Sequence, residues 1–227
     1  MITLVIIGVA AALTIPNLMK SYEKRQIEVG LAKTYQELNN IIKLSEIDNG
    51  PTEDWPKLHA ILPSDTTEYI NKYFAPYMKL RACNKECFAG FQSDCSSYYG
   101  QYHYPNGTCV SNISPSYFLD DGRIFQFDRF TTYDNDQYAQ FIVDVNGKRG
   151  KSILGIDVFM FTLSYGTKRL PKGLYTGSMG SGYGYYRATK ETLYNHCSPN
   201  QTQNLNECSI ILQRNGWKFP NDYPIKF

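Results

Sequence analysis

No charged side chain occurs from Met1 to Met19 in the run MITLVIIGVAAALTIPNLM, and Lys20 opens a strongly charged continuation with no loop-forming residues between. Beyond Pro16 the chain up to Asp48 holds no further proline and only Gly30, and Lys, Glu, Gln, Leu and Ala dominate it. Leu31, Tyr35, Leu38 and Ile42 recur at the spacing of one helical stripe, which Val29, Ala32 and Ile41 widen. Glu23, Lys24, Lys33, Glu37 and Lys43 fill the opposite side. Asp48-Asn49-Gly50-Pro51 is a stop: Gly50 takes the left-handed cap and Pro51 cannot continue a helix. The pattern predicts one helix of about 48 residues, roughly 70 Å long. Pro16 lacks the N–H that one backbone bond needs, so a break or loosened turn is expected there, with the helix resuming to Lys43 at least.

Period-two alternation takes over later. Arg123–Phe130 places Phe125 and Phe127 on one face, Gln137–Asp144 places Ala139, Phe141 and Val143, and Asp157–Ser164 places Phe159, Phe161 and Leu163. Asp120-Asp121-Gly122 and Tyr133-Asp134-Asn135-Asp136 supply turns. Short links imply an antiparallel meander whose aromatic face packs on the stripe Leu31, Tyr35, Leu38 and Ile42. The fold class is α+β. Residues 1–19 form an apolar helical segment, 20–50 its amphipathic continuation, and 51–227 a β-rich globular part. Between Pro51 and about residue 115 the sequence reads as loops, and residues 165–207 read as turns, with glycines at 173, 177, 180, 182 and 184. A short segment around Ile210–Gln213, a turn at Asn215-Gly216 and a Trp217 anchor close the chain.

Composition adds a compartment. All six cysteines, Cys83, Cys87, Cys95, Cys109, Cys197 and Cys208, follow the helix in loop-like sequence. An even count without a Cys-x-x-Cys pair reads as three disulfides in an oxidising exterior. Cys197 and Cys208 close a short local loop and are expected to pair. The other four allow three arrangements, of which Cys87 with Cys109 and Cys83 with Cys95 is preferred. The 19 tyrosines suit an extracellular contact surface, and a net charge of +2 argues against a dominant phosphate-binding role.

The run of nineteen residues would rise about 28 Å as a helix, close to the hydrocarbon thickness of a bilayer. Gly8, Ala10, Ala11 and Ala12 let helices approach closely in a lipid-like setting. VIIGVAAALTIPNL resembles the amino-terminal helix of type IV pilins and type II secretion pseudopilins. Gly8, Ala11, Ala12, Ile15 and Pro16 fall on that family's Gly-x-x-Ala-Ala-x-x-Ile-Pro pattern. The stretches DVNGKRG…GIDVF and GWKFPNDYP are similar to the carboxy-terminal half of some pilin-like proteins. The resemblance implies a subunit held in the cytoplasmic membrane by its apolar helix and later packed, helix against helix, in a surface filament. It also implies a homo-oligomer built by pilus or secretion machinery. The family's processing site, a glycine before a usually methylated phenylalanine, and its early glutamate have no counterpart among these residues. The alternative is a minor pilin or pseudopilin acting as a membrane-anchored adhesin, DNA-capture or secretion component.

Enzyme chemistry finds little purchase. GSMGSGYG lacks the strand before and the helix after that a phosphate loop needs, no Gly-x-Ser-x-Gly or His-Glu-x-x-His occurs, and His59, His103 and His196 sit in unlike contexts. No enzyme and no cofactor is expected. Asp144, Asn146 and Asp157 offer oxygen ligands for calcium in a loop like that of some pseudopilins, but Lys148, Arg149 and Lys151 crowd it, and an Asn-Gly hairpin turn explains it as well. Lys168, Arg169, Lys172, Arg187 and Lys190 interleave with Tyr165, Tyr175, Tyr183, Tyr185 and Tyr186, a composition that can stack and neutralise single-stranded nucleic acid. A tyrosine-rich contact surface is the simpler reading.

Overall fold

The computed structural model describes residues 2–56, 63–78, 80–82, 102–110, 116–133, 136–147, 152–167, 170–178, 188–201 and 205–227. Helix α1 spans Ile2–Asn49 and ends where the sequence places its stop, with Gly50 at φ +79°. Its exit is tied down: Glu46 Oε1 accepts the Thr52 N–H at 2.9 Å, and Trp55 Nε1 donates to the Gly50 carbonyl at 2.8 Å. The helix runs through Pro16 without interruption, contrary to the expected break. Proline costs one bond of a long ladder, and both Pro16 and Ala12, whose carbonyl loses its partner, are exposed, so water reaches the vacancy.

A six-stranded sheet lies beside α1 in the order β1-β4-β5-β6-β7-β8, every neighbour antiparallel. Its strands are β1 (Leu80–Ala82), β4 (Ser116–Leu119), β5 (Ile124–Tyr133), β6 (Asp136–Asp144), β7 (Val158–Ser164) and β8 (Gly173–Thr176), and a small hairpin pairs β2 (Tyr102–His103) with β3 (Cys109–Val110). The expected meander is β5-β6-β7. Phe127 faces Phe141, Phe141 faces Phe161, and Val143 lies between Phe125 and Phe159. These residues form one core with Leu31, Leu38, Ile41 and Ile42, and Tyr35 packs at its edge. A bulge between Phe127 and Arg129 shifts the register of β5 beyond this face.

Two features depart from the sequence expectation. Helix α2 (Pro63–Tyr73) occupies part of the region read as loop and brings Tyr69, Ile70, Tyr73 and Phe74 into the same core, with Trp55 stacked on Tyr73. The stretch read as turns contains β8 and helix α3 (Lys190–His196), whose first turn is capped by the Thr189 side chain. With helix α4 (Cys208–Arg214), α3 supplies a second apolar layer: Ile142, Val158 and Met160 pack with Leu193, Ile210 and Ile211. In register these three strand residues alternate with Phe141, Phe159 and Phe161, so the sheet is buried on both faces.

Candidate functional site

Helix α1 is held along one side and open along the rest. Leu31 and Leu38 are fully buried, yet Val29, expected in the stripe, is 62% exposed. Two residues span 200° of helix, so Val29 and Leu31 cannot share a face; its apolar identity, not its position, suggested the assignment.

Two devices lock the helix to the domain. The first is an ion network. The buried Arg123 guanidinium donates to Thr34 Oγ1 at 2.6 Å, to Glu37 Oε2, and through Nε to Asp121 Oδ2 at 2.9 Å. Lys33 joins from the solvent side, 2.9 Å from Asp121. Burial opposes ionisation of Asp121, but the hydrogen bonds from Arg123 and Lys33 outweigh it and hold its carboxyl well below the usual range. The second is the carboxy-terminal segment. Trp217, in the left-handed region at φ +65°, is fixed by its N–H to the Leu212 carbonyl at 2.7 Å and by its ring, 5.0 Å from that of Tyr35. Further along, Phe219 N–H donates to Glu28, the Lys24 ammonium lies 5.6 Å over the Phe219 ring, and Lys20 Nζ reaches the Phe227 carbonyl at 3.3 Å.

Every residue from Thr14 to Glu23, Lys20 among them, is exposed, including Ile15 at 55%, Leu18 at 71% and Met19 at 54%. Ala12 and Pro16 are exposed too, while Gly8 and Ala11 lie on helical backbone whose side chains fall outside the described set. Among the described residues no helix is long and apolar enough to cross a membrane.

The remaining sequence-derived sites resolve unevenly. Asp144 and Asp157 are buried together at the base of the β6–β7 connection. Asp144 accepts the N–H groups of Asn146 and Gly147 and the Ser152 hydroxyl, Asp157 accepts the Ile153 N–H, and the Asn146 side chain bonds to Asp157. These oxygens cap the loop's own donors, and no cluster of three or more His, Cys, Asp or Glu suited to a metal occurs among the described residues. Burial raises both carboxyls above the ordinary range, and the Asp144 charge raises Asp157 further.

Cys197 and Cys208 are joined as expected, and they staple α3 to α4. Cys109 is disulfide-bonded, but the expected Cys87–Cys109 and Cys83–Cys95 pairings involve residues outside the described set. Next to the staple, His196 Nδ1 meets the buried Glu207 at 2.7 Å, a link that the isolated look of His196 in sequence concealed. The tyrosine-rich basic stretch is described only in part. Tyr165 is buried and bonded to Tyr69, Lys172 is paired with Glu46 and Glu53, and Lys190 with Asp222. Lys168, Arg169, Tyr183, Tyr185, Tyr186 and Arg187 lie outside the described residues.

The class defined by this architecture is an α+β protein in which one long amino-terminal helix carries an antiparallel sheet and a disulfide-stapled helical layer. Residues 17–227 match DUF6613, a family of unknown function, and the chain belongs to that family. No curated protein and no solved structure matches it.

Proposed function

We propose that the protein is a pilin: a structural subunit that is held in the cytoplasmic membrane by the start of α1 and polymerises into a surface filament through it. The observation that carries the reading is the helix's division of labour. Its later part is locked to the sheet by buried side chains, the Arg123 network and the carboxy-terminal segment. Its earlier part emerges with apolar side chains in the open, an arrangement that costs stability unless another surface covers them. The small residues at 8, 11 and 12 let neighbouring helix backbones approach, so assembly exchanges lipid contacts for helix contacts.

The resemblance of the Gly8–Pro16 pattern to pilins and pseudopilins adds to this reading, and the long helix on an antiparallel meander is compatible with a pilin-like fold. The test is electron microscopy of filaments sheared from the native cell, comparing wild type with Ala11→Phe. Filaments that contain the protein, and whose yield falls in the variant while the domain's melting is unchanged, are expected because added bulk separates the helices. Equal yield in both, or no filament containing the chain, overturns the proposal.

A further inference from the structure

The charge-free run of α1 ends at Met19, and a group of cations gathers just beyond it. Lys20, Lys24 and Arg25 lie on the helix, and Lys218 and Lys226 are exposed on the carboxy-terminal segment. Two contacts bring the groups together: Lys20 Nζ reaches the Phe227 carbonyl at 3.3 Å, and the Lys24 ammonium lies 5.6 Å over the Phe219 ring. None of the five forms an ion pair among the described residues, whereas Lys33, Arg123, Lys172 and Lys190 each hold a carboxylate. Of the acids nearby, Asp222 is engaged by Lys190 at 2.7 Å and Tyr194 at 2.9 Å, and Glu28 accepts the Phe219 N–H at 2.9 Å. Set against Glu23 and Glu28, the five cations leave this end of the domain basic, a local excess that the whole-chain charge of +2 conceals.

Resting on the membrane-anchored reading above, we infer that Lys20, Lys24, Arg25, Lys218 and Lys226 form a docking face for an anionic phospholipid surface, on which the carboxy-terminal segment stands before assembly. The depth fits. The headgroup region extends about 5–8 Å beyond the hydrocarbon on each side of a bilayer. At 1.5 Å per residue, Lys24 and Arg25 lie about 6–8 Å beyond Lys20. With the apolar run in the hydrocarbon, all three helix cations fall among the lipid phosphates. The contacts to Phe227 and Phe219 bring the neighbouring Lys226 and Lys218 to the same end. Lysine and arginine stems are long enough to hold their charges at that level. Tyr22, 60% exposed in the same turn, is the amphipathic ring that settles at such a boundary. Charge selects the partner: headgroup phosphates are anionic and lie where the apolar segment ends, and each cation near them strengthens binding about fivefold.

The experiment reconstitutes the full chain in vesicles of phosphatidylcholine alone and of phosphatidylcholine mixed with phosphatidylglycerol. A donor fluorophore on Asn221→Cys, an exposed position of the carboxy-terminal segment, and an acceptor dye on the headgroups report by energy transfer the fraction of domains standing on the surface. Transfer is expected to be high in the anionic vesicles, low in the neutral ones, and lost at high salt. The triple variant Arg25→Gln, Lys218→Gln, Lys226→Gln removes three cations that hold no ion pair in the domain. Its docked-to-free ratio on anionic vesicles should fall about a hundredfold, roughly fivefold per cation, with domain melting unchanged. Lys43→Gln, an exposed cation on α1 about 27 Å beyond Arg25, should leave the ratio at the wild-type value. Equal transfer in the two kinds of vesicle, or in wild type and the triple variant, overturns the inference while the anchoring reading stands. A chain that enters neither kind of vesicle overturns both. If the three substitutions instead weaken binding to a single-stranded oligonucleotide and leave transfer unaltered, the face belongs to nucleic acid and the inference is likewise overturned.

Discussion

Gly147 sits where a side chain does not fit: a Cβ there would lie 2.0 Å from the Gly122 carbonyl oxygen, and its φ is +61°. Gly147→Ala is expected to cost about 1–3 kcal/mol by urea denaturation, since backbone, not a pliable side chain, is in the way. Phe141, fully buried between Phe127 and Phe161, is the centre of the aromatic face, and Phe141→Ala should cost about 3–5 kcal/mol. A loss under about 1 kcal/mol would contradict its place in the core. The Asp144–Asp157 pair predicts a pH dependence. Both folded-state pKa values lie above the unfolded ones, so the pair's favourable contribution is fully present below about pH 4 and is lost as the pH rises through the folded values. Melting temperature should therefore decline from mildly acid to alkaline pH, and Asp157→Asn should flatten that decline. An identical slope in the variant would count against burial of the pair. At this scale the aromatic face was legible, because period two leaves Phe125, Phe127, Phe141, Phe159 and Phe161 one side to occupy. Val29 was not, because an apolar residue beside a stripe looks like part of it until its angle is counted.

Among the elements, α1 and the β5-β6-β7 meander could be read from the chain because each repeats its period over many residues and ends at strong turn chemistry. Of the layer formed by α3 and α4, only a short segment around Ile210–Gln213, within α4, could be read, and its type could not. Each is a seven-residue helix, too short to show periodicity and too short to be stable alone. Tertiary contacts and a covalent link hold them: the Cys197–Cys208 bond, the His196–Glu207 contact and the apolar face of Ile142, Val158 and Met160. Replacing both cysteines with alanine should lower the domain's stability by about 2–4 kcal/mol in denaturant titrations. An unchanged midpoint would show that packing alone holds the layer. The unbroken passage of α1 through Pro16 carries its own consequence. Pro16→Ala restores a backbone bond in an exposed stretch and should raise helical content without altering the domain's melting.

For the whole molecule, the layering divides α1 into a part that carries the domain and a segment that precedes it. The sheet's two faces are satisfied by α1 with α2 on one side and by α3 with α4 on the other, and among the described residues the part of α1 before Ile27 contributes nothing to either core. The strongly exposed large apolar side chains among the described residues all lie on α1, and four of them, Ile15, Leu18, Met19 and Tyr22, are in that segment. The central claim is that it is covered by other copies of the same helix. The most direct measurement is a helical reconstruction of the native filament by electron cryomicroscopy. The expected result is a bundle of α1 helices at the filament axis, with their closest approaches near Gly8 and Ala11. A filament joined only through the globular domains, with α1 free of other helices, would contradict the account.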